Sequence, residues 1–183
     1  MATELALGVL LVRTPPPNRS TPWHTDGAFT DAPPCSVINE RPVRALLGTS
    51  GSPTVAQSRY REDDDPNQRC TYPAGPAGTR VEITMWCRLG MGGRPEIVTH
   101  VADRALGTVF PNGASLDEHW PGPGDKSTTG TVHVGFTIDN LSVAVSYSLS
   151  YPESRRSGVP ATVRDRSRAN TLDLARTIAA NLR

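Results

Sequence analysis

The densest chemistry in the sequence lies in four neighbours: Asp117, Glu118, His119 and Trp120. A Glu/His pair beside an aromatic has the composition of an acid/base couple or of a ligand clamp. No nucleophile or partner carboxylate of readable geometry accompanies it, so no catalytic residue is assigned. Glu118, His119 and Trp120 are taken as candidate binding residues. His133 joins them, because its strand alternates and places it on a small, smooth face with Gly135, Ala144 and Ser146. Such a face suits a shallow binding surface, although an exposed sheet histidine among serines is the plainer reading. Arg155 and Arg156 belong to the stretch 153–168, where five Arg stand against one Glu and one Asp. That excess could meet an anionic envelope polymer or lipid head group, with a solvated loop as the plainer reading.

Metal and cofactor chemistry finds less support. The run Glu62-Asp63-Asp64-Asp65 is acidic enough to suggest calcium, yet it lacks the alternating acids of a calcium loop, and consecutive acids point in different directions. It reads as a solvated turn. The four histidines are far apart and no CxxC pair exists, so no metal site is assigned. Nor is there a G-x-S-x-G elbow, a Walker loop or a G-x-G-x-x-G turn. Gly48-Thr49-Ser50-Gly51-Ser52 matches a phosphate loop in composition only and lacks its lysine. No cofactor is expected.

Elements that would position these residues follow from periodicity. Thr131–Tyr151 reads as two strands joined by a tight Asp139-Asn140 turn, with Val132, Val134, Phe136 and Ile138 facing Tyr147, Val145, Val143 and Leu141. Val81, Ile83, Met85 and Cys87 form one side of another strand, and Glu82, Thr84, Trp86 and Arg88 the other. Asn39 caps a helix through Arg41–Leu47 that Gly48 stops. Shorter strands are expected at Thr54–Tyr60, Cys70–Tyr72 and Leu106–Phe110, with a short helix over 94–101. Residues 111–130 read as a loop. A last helix is capped by Asn170 and carries the stripe Leu174, Ile178, Leu182, which needs an apolar face to cover; the 132–149 row offers one.

Cys87 falls on the core side of its strand, where a thiolate is hard to form. Cys35 and Cys70 sit at element edges and make the better disulfide pair. Closing that loop would remove on the order of 3–4 kcal/mol of unfolded-state freedom in the entropic account.

A chain of 183 residues is long enough for one domain with a real core. Sixteen Gly and 17 Pro imply long irregular connections, concentrated early in TPPPNRSTPWHTDG and DAPP. A net charge of +1 argues against nucleic acid. No run approaches the roughly 20 apolar residues of a membrane-spanning helix. The Leu5–Val12 run lacks a basic flank and a following lipobox cysteine, and reads as the remnant of a signal or membrane segment or as a first strand. The expected fold is α+β: an antiparallel sheet of about five or six strands with two or three helices packed on one face. Residues 1–33 form an extended arm or signal/anchor remnant, and 34–183 a single domain.

Pro34-Cys35 opening a short helix, Cys70 entering a strand, Val101-x-Asp103-x-Ala105, the valine-rich hairpin and the closing LARTIAANL helix follow one another in an order that resembles the small secreted lipoproteins of mycobacteria and other actinobacteria, catalogued as a domain of unknown function. Extracytoplasmic sensor domains of actinobacterial kinases share some of the pattern. The resemblance spans Pro34–Leu182 and implies an exported α+β domain with a Cys35–Cys70 bridge. It departs in having Ala102 where Gly often stands and in lacking a lipobox. The expected function is a non-enzymatic cell-envelope binding or interaction module, its partner an envelope component or another protein. The alternatives are a small-ligand sensor with a closed apolar pocket between helix and sheet, and a hydrolase using the 117–120 loop with His133.

Overall fold

Val132, Val134, Phe136 and Ile138 alternate with small polar residues, and the same period resumes at Leu141. A turn at Asp139-Asn140 therefore stacks both apolar rows on one face. The structure, a computed structural model, has this hairpin in the expected register, Ile138 against Leu141 through Thr129 against Ser150. It describes residues 22–25, 28–62, 65–75, 78–89, 110 and 114–183, the side chain of Arg155 excepted. Asp139 has φ 51°, the only positive value at a non-glycine among the described residues, as a tight hairpin turn requires.

In chain order the elements are β1 (His24–Thr25), β2 (Ala28–Phe29), a 3-10 turn (Cys35–Val37), α1 (Glu40–Leu47), β3 (Ala56–Glu62), β4 (Asp65–Tyr72), β5 (Arg80–Cys87), β6 (Ala114–His119), β7 (Thr129–Ile138), β8 (Leu141–Ser150), α2 (Ser154–Ser157) and α3 (Ala161–Asn181). β3 to β8 form one antiparallel sheet in the order β3-β4-β5-β8-β7-β6. Two three-stranded meanders thus meet along β5 and β8, and β1 with β2 makes a separate ladder. This is the expected α+β architecture.

One sheet face is covered by α1 and α3, which touch each other as well as β5, β7 and β8. Val81, Ile83, Met85, Val132, Val134, Phe136 and Val145 on that face are fully buried, and so are Leu174 and Ile178 of the helix stripe, with Leu182 4% exposed. Each such aliphatic side chain contributes on the order of 1.5–3 kcal/mol of burial. Asn39 caps α1 by accepting from Arg41 N at 2.9 Å, and Gly48 ends it in the left-handed region at φ 67°. The Cys35–Cys70 disulfide is present, with Cα atoms 5.7 Å apart, and ties the 3-10 turn to β4. Asn181 Nδ2 donates to Val37 O at 2.9 Å, so the end of α3 is fastened to the same turn.

Several expectations are corrected. Residues 111–130 are not all loop, because Ala114–His119 is a strand that forms the sheet edge beside β7. The last helix starts at Ala161, nine residues before Asn170, which is an ordinary helical position. In its first half the buried positions are Ser167 and Thr171, so no apolar stripe announces it; Thr171 Oγ1 returns its bond to Ser167 O at 2.7 Å. The Arg-rich stretch is accordingly helical in α2 and early α3 rather than a loop. β3 runs two residues later than expected, and β4 begins five residues before Cys70. The N-terminal arm reaches the core: Phe29 is 1% exposed and stacks near Trp23. The expected 94–101 helix, and the 106–110 strand apart from Phe110, lie outside the described residues.

Asn140 explains how that arm is held. Its Oδ1 accepts from Phe29 N at 2.7 Å, and its Nδ2 donates to Phe29 O at 2.8 Å and to Arg88 O at 3.0 Å. The side-chain amide thereby pairs with β2 much as another strand would. Cys87 closes the cluster, its thiol donating to Phe29 O at 3.1 Å. Burial, then the charges of Asp31 and Asp65, push this thiol up to about 12, against a partial offset from Asn140.

Candidate functional site

β6 separates the residues of the 117–120 cluster, because neighbours on a strand point to opposite faces. Glu118 lies on the helix-covered face. There it accepts from Trp120 Nε1 at 2.9 Å and from Arg168 Nε of α3. Burial alone would raise the Glu118 carboxyl, but these hydrogen bonds and the charges of Arg168 and Arg164 outweigh it and hold it below the usual range. Trp120 lies over Gly130 so closely that a Cβ there would overlap its ring. Glu118 and Trp120 therefore form a clasp between the sheet edge and α3, and they share no surface with His119.

His119 and Asp117 are exposed on the opposite face. There the register lines up Asp117, His133, Ser146, Glu82 and Thr71 across five strands. His133 Nδ1 and Ser146 Oγ are 2.8 Å apart. Asp117 stands beside His133 without a hydrogen bond or ion pair to it. Glu82 is held by Arg80 at 3.2 Å and Arg69 at 3.6 Å. Arg156 is exposed on α2 and is not a member of this row. The structure thus brings His133 to Asp117 and Ser146, leaves His119 on the same face, and removes Glu118 and Trp120 to the other side.

The row contains the residue types of a Ser-His-Asp triad. What it lacks is a donor pair for a developing oxyanion: mid-strand backbone N–H groups are committed to the sheet ladders on both sides. The face is better suited to contact than to acyl transfer, with Thr131, Gly135, Ala144, Ser146 and Ser148 all small and half-buried.

Two rows further toward the β7–β8 turn, the same face holds a feature that motif spacing did not reveal. Tyr60, Asn67, Trp86, Ser142 and Thr137 align across β3, β4, β5, β8 and β7. Beside them Glu62, Asp65, Asn67, Trp86 and Arg88 line a cleft of about 220 Å³. Asn67 is fully buried, and its Nδ2 donates to Asp65 O at 3.1 Å. Because a carbonyl can only accept, that bond fixes the amide orientation. Its Oδ1 is left buried with no donor, as are Ser142 Oγ and Thr137 Oγ1. Each such group costs on the order of 1–3 kcal/mol when nothing satisfies it. Asp65 is anchored by Leu89 N, which donates to its Oδ1 at 2.8 Å. Elsewhere an apolar cleft of about 610 Å³, open to solvent, lies at the sheet end between Leu149, Tyr151, Pro152 and Val163.

Among the described residues no three His, Cys, Asp or Glu side chains gather as a metal site, and no helix is long and apolar enough to cross a membrane. Comparison of the chain with family models, with curated proteins and with solved structures finds no match in any of the three.

Proposed function

We propose that the chain is a non-enzymatic binding module of the cell envelope, and that it meets its partner with the sheet face opposite α1 and α3. The carrying observation is the asymmetry of the sheet. One face is sealed by helices, while none of the described helices packs on the other, where small polar residues surround His133, Ser146 and Asp117. A disulfide fits an oxidising compartment, which supports placement outside the cytoplasm. The short motifs that resemble actinobacterial secreted lipoproteins point the same way. A module of this kind would recognise an envelope glycan, lipid or protein by hydrogen bonding over a flat surface, without turning it over.

The test is binding of the oxidised protein to separated envelope lipid, glycan and protein fractions, with Ser146→Arg as the surface variant. The native chain should bind one fraction, and a bulky charge at the centre of the face should weaken it by about tenfold or more. Absence of binding to every fraction, or unchanged binding by Ser146→Arg, refutes the proposal.

A second reading, hydrolysis, is favoured by the 2.8 Å approach of His133 Nδ1 to Ser146 Oγ. It requires turnover of an ester, amide or glycoside that both Ser146→Ala and His133→Ala abolish. Turnover that survives both substitutions, or none at all, removes it.

A further inference from the structure

We infer that the cleft between β3, β4 and β5 is a subsite for one neutral sugar residue. This rests on reading the uncovered sheet face as a binding surface, but it concerns a separate end of that face. Three features of the cleft combine. Trp86 projects from β5 on the polar side of the sheet, half-buried, with no aromatic partner among the described residues. A flat indole at a cleft wall matches the C–H face of a pyranose or furanose ring. Asn67 offers an acceptor whose orientation is fixed by its own bond to Asp65 O, and which no donor among the described residues satisfies. Glu62 and Asp65 add carboxylate acceptors, and Arg88 adds a donor.

The donor and acceptor balance selects among ligand classes. An anion would meet two carboxylates and one guanidinium. An organic cation would suit the indole and carboxylates but leave Arg88 opposed to it. Vicinal hydroxyls are both donors and acceptors, so a sugar can donate to Asn67 Oδ1 and the carboxylates while accepting from Arg88. The volume, about 220 Å³, is below the roughly 300 Å³ where sites for drug-sized ligands begin, which limits the occupant to a single ring. Ser142 Oγ, next to Trp86 in the register, and Thr137 Oγ1 continue the row of unsatisfied oxygens from the cleft across the sheet.

The experiment follows the indole N–H resonances of Trp23, Trp86 and Trp120 by NMR, assigned with Trp86→Phe, in the full oxidised chain. D-glucose, D-mannose, D-galactose and D-arabinose are added separately, and tetramethylammonium chloride serves as the cationic probe. The expected result is a saturable shift of the Trp86 signal alone with at least one sugar, at a Kd in the range of about 1–10 mM. Glu62→Ala, at an exposed strand end, should weaken it several-fold, and Asn67→Ala by about tenfold or more. Arg176→Ala, at an exposed position of α3, should leave it unchanged. If Asn67→Ala fails to fold, Glu62→Ala and Trp86→Phe still decide the matter. The inference is overturned if no sugar moves the Trp86 signal, if Glu62→Ala leaves the response intact, or if only tetramethylammonium moves it. Envelope binding without a Trp86 response would reject the cleft while leaving the binding face. A sugar response at Trp86 without envelope binding would do the reverse.

Discussion

Asn140→Ala should be the most informative single substitution in the fold. The amide at the β7–β8 turn satisfies Phe29 N, Phe29 O and Arg88 O at 2.7, 2.8 and 3.0 Å. Truncation strands all three partners at a site where Asn140 is 1% exposed and Phe29 equally so. Phe29 O keeps the weak Cys87 thiol donor at 3.1 Å, which offsets part of the loss. At about 1 kcal/mol for each bond whose partner stays buried, the substitution costs about 3 kcal/mol. In urea, that lowers the midpoint by about 1 M or more with the slope unchanged. Asn140→Asp sharpens the argument. The introduced carboxylate still accepts from Phe29 N, but its second oxygen faces two carbonyls, so burial and repulsion raise its folded pKa above the unfolded value of about 3.9. A group raised in this way favours folding below the unfolded pKa and loses that contribution as pH rises through the folded one. Asn140→Asp should therefore lie nearest the native stability at acid pH and furthest from it at neutral pH. Equal midpoints for Asn140→Ala and native protein, or an Asn140→Asp penalty independent of pH, would refute the account of the arm.

Further predictions concern the disulfide, Cys87 and the Glu118–Arg168 clasp. Replacing Cys35 and Cys70 together by Ser should destabilise the chain by about 3–4 kcal/mol, because the bridge spans a sequence separation of 35. Mass spectrometry of the native protein should find these two linked, and Cys87 unmodified by iodoacetamide at pH 8 until the chain unfolds; prompt native alkylation of Cys87 would contradict its burial. Arg168→Ala should raise the Glu118 carboxyl back toward its usual range, readable by NMR titration. Since the folded pKa of Glu118 is lowered, its contribution exists above the unfolded value near 4.3 and disappears as pH falls through the folded one. Arg168 is 46% exposed, so the loss at neutral pH should be only about 0.5–1 kcal/mol and should vanish in acid.

Much of this architecture was readable because its causes are local. The β7–β8 register follows from period-two alternation plus a turn that tolerates positive φ, and α1 follows from Asn39 and Gly48 within ten residues of each other. The disulfide was readable once alternation had placed Cys87 inside. What escaped depended on distant partners. β6 alternates only weakly, as Ser115, Asp117 and His119 against Leu116 and Glu118, and it counts as a strand because β7 offers an unpaired edge. The first half of α3 buries Ser167 and Thr171 instead of aliphatics; Ser167 meets Tyr147, where its hydrogen bond partly offsets the rise that burial imposes on the phenol. The separation of Glu118 from His119 needed no structure beyond the knowledge that they lie on a strand.

The two asparagines show why a site is harder to read than a fold. Asn140 and Asn67 are both buried, and although the sequence places Asn140 at a turn, it does not show which of the two side chains is satisfied. Asn140 is satisfied by residues 111 and 52 positions away, so its role is architectural. Among the described residues the Asn67 side chain bonds only to Asp65 O, two residues away, and its acceptor is left over at a cleft. The one clue within the sequence was Trp86, a large apolar ring on the polar side of an otherwise regular β5. A large aromatic on that side buries more of its ring where the strand end provides a recess. Here the recess exists, and the oxygens of Asn67, Ser142 and Thr137 run beside it along one row of the sheet. A plain solvent-facing surface would let water reach those oxygens, and a plain core would give them protein donors. Their lying buried and unsatisfied beside an open cleft is what separates this end of the sheet from the rest of its polar face.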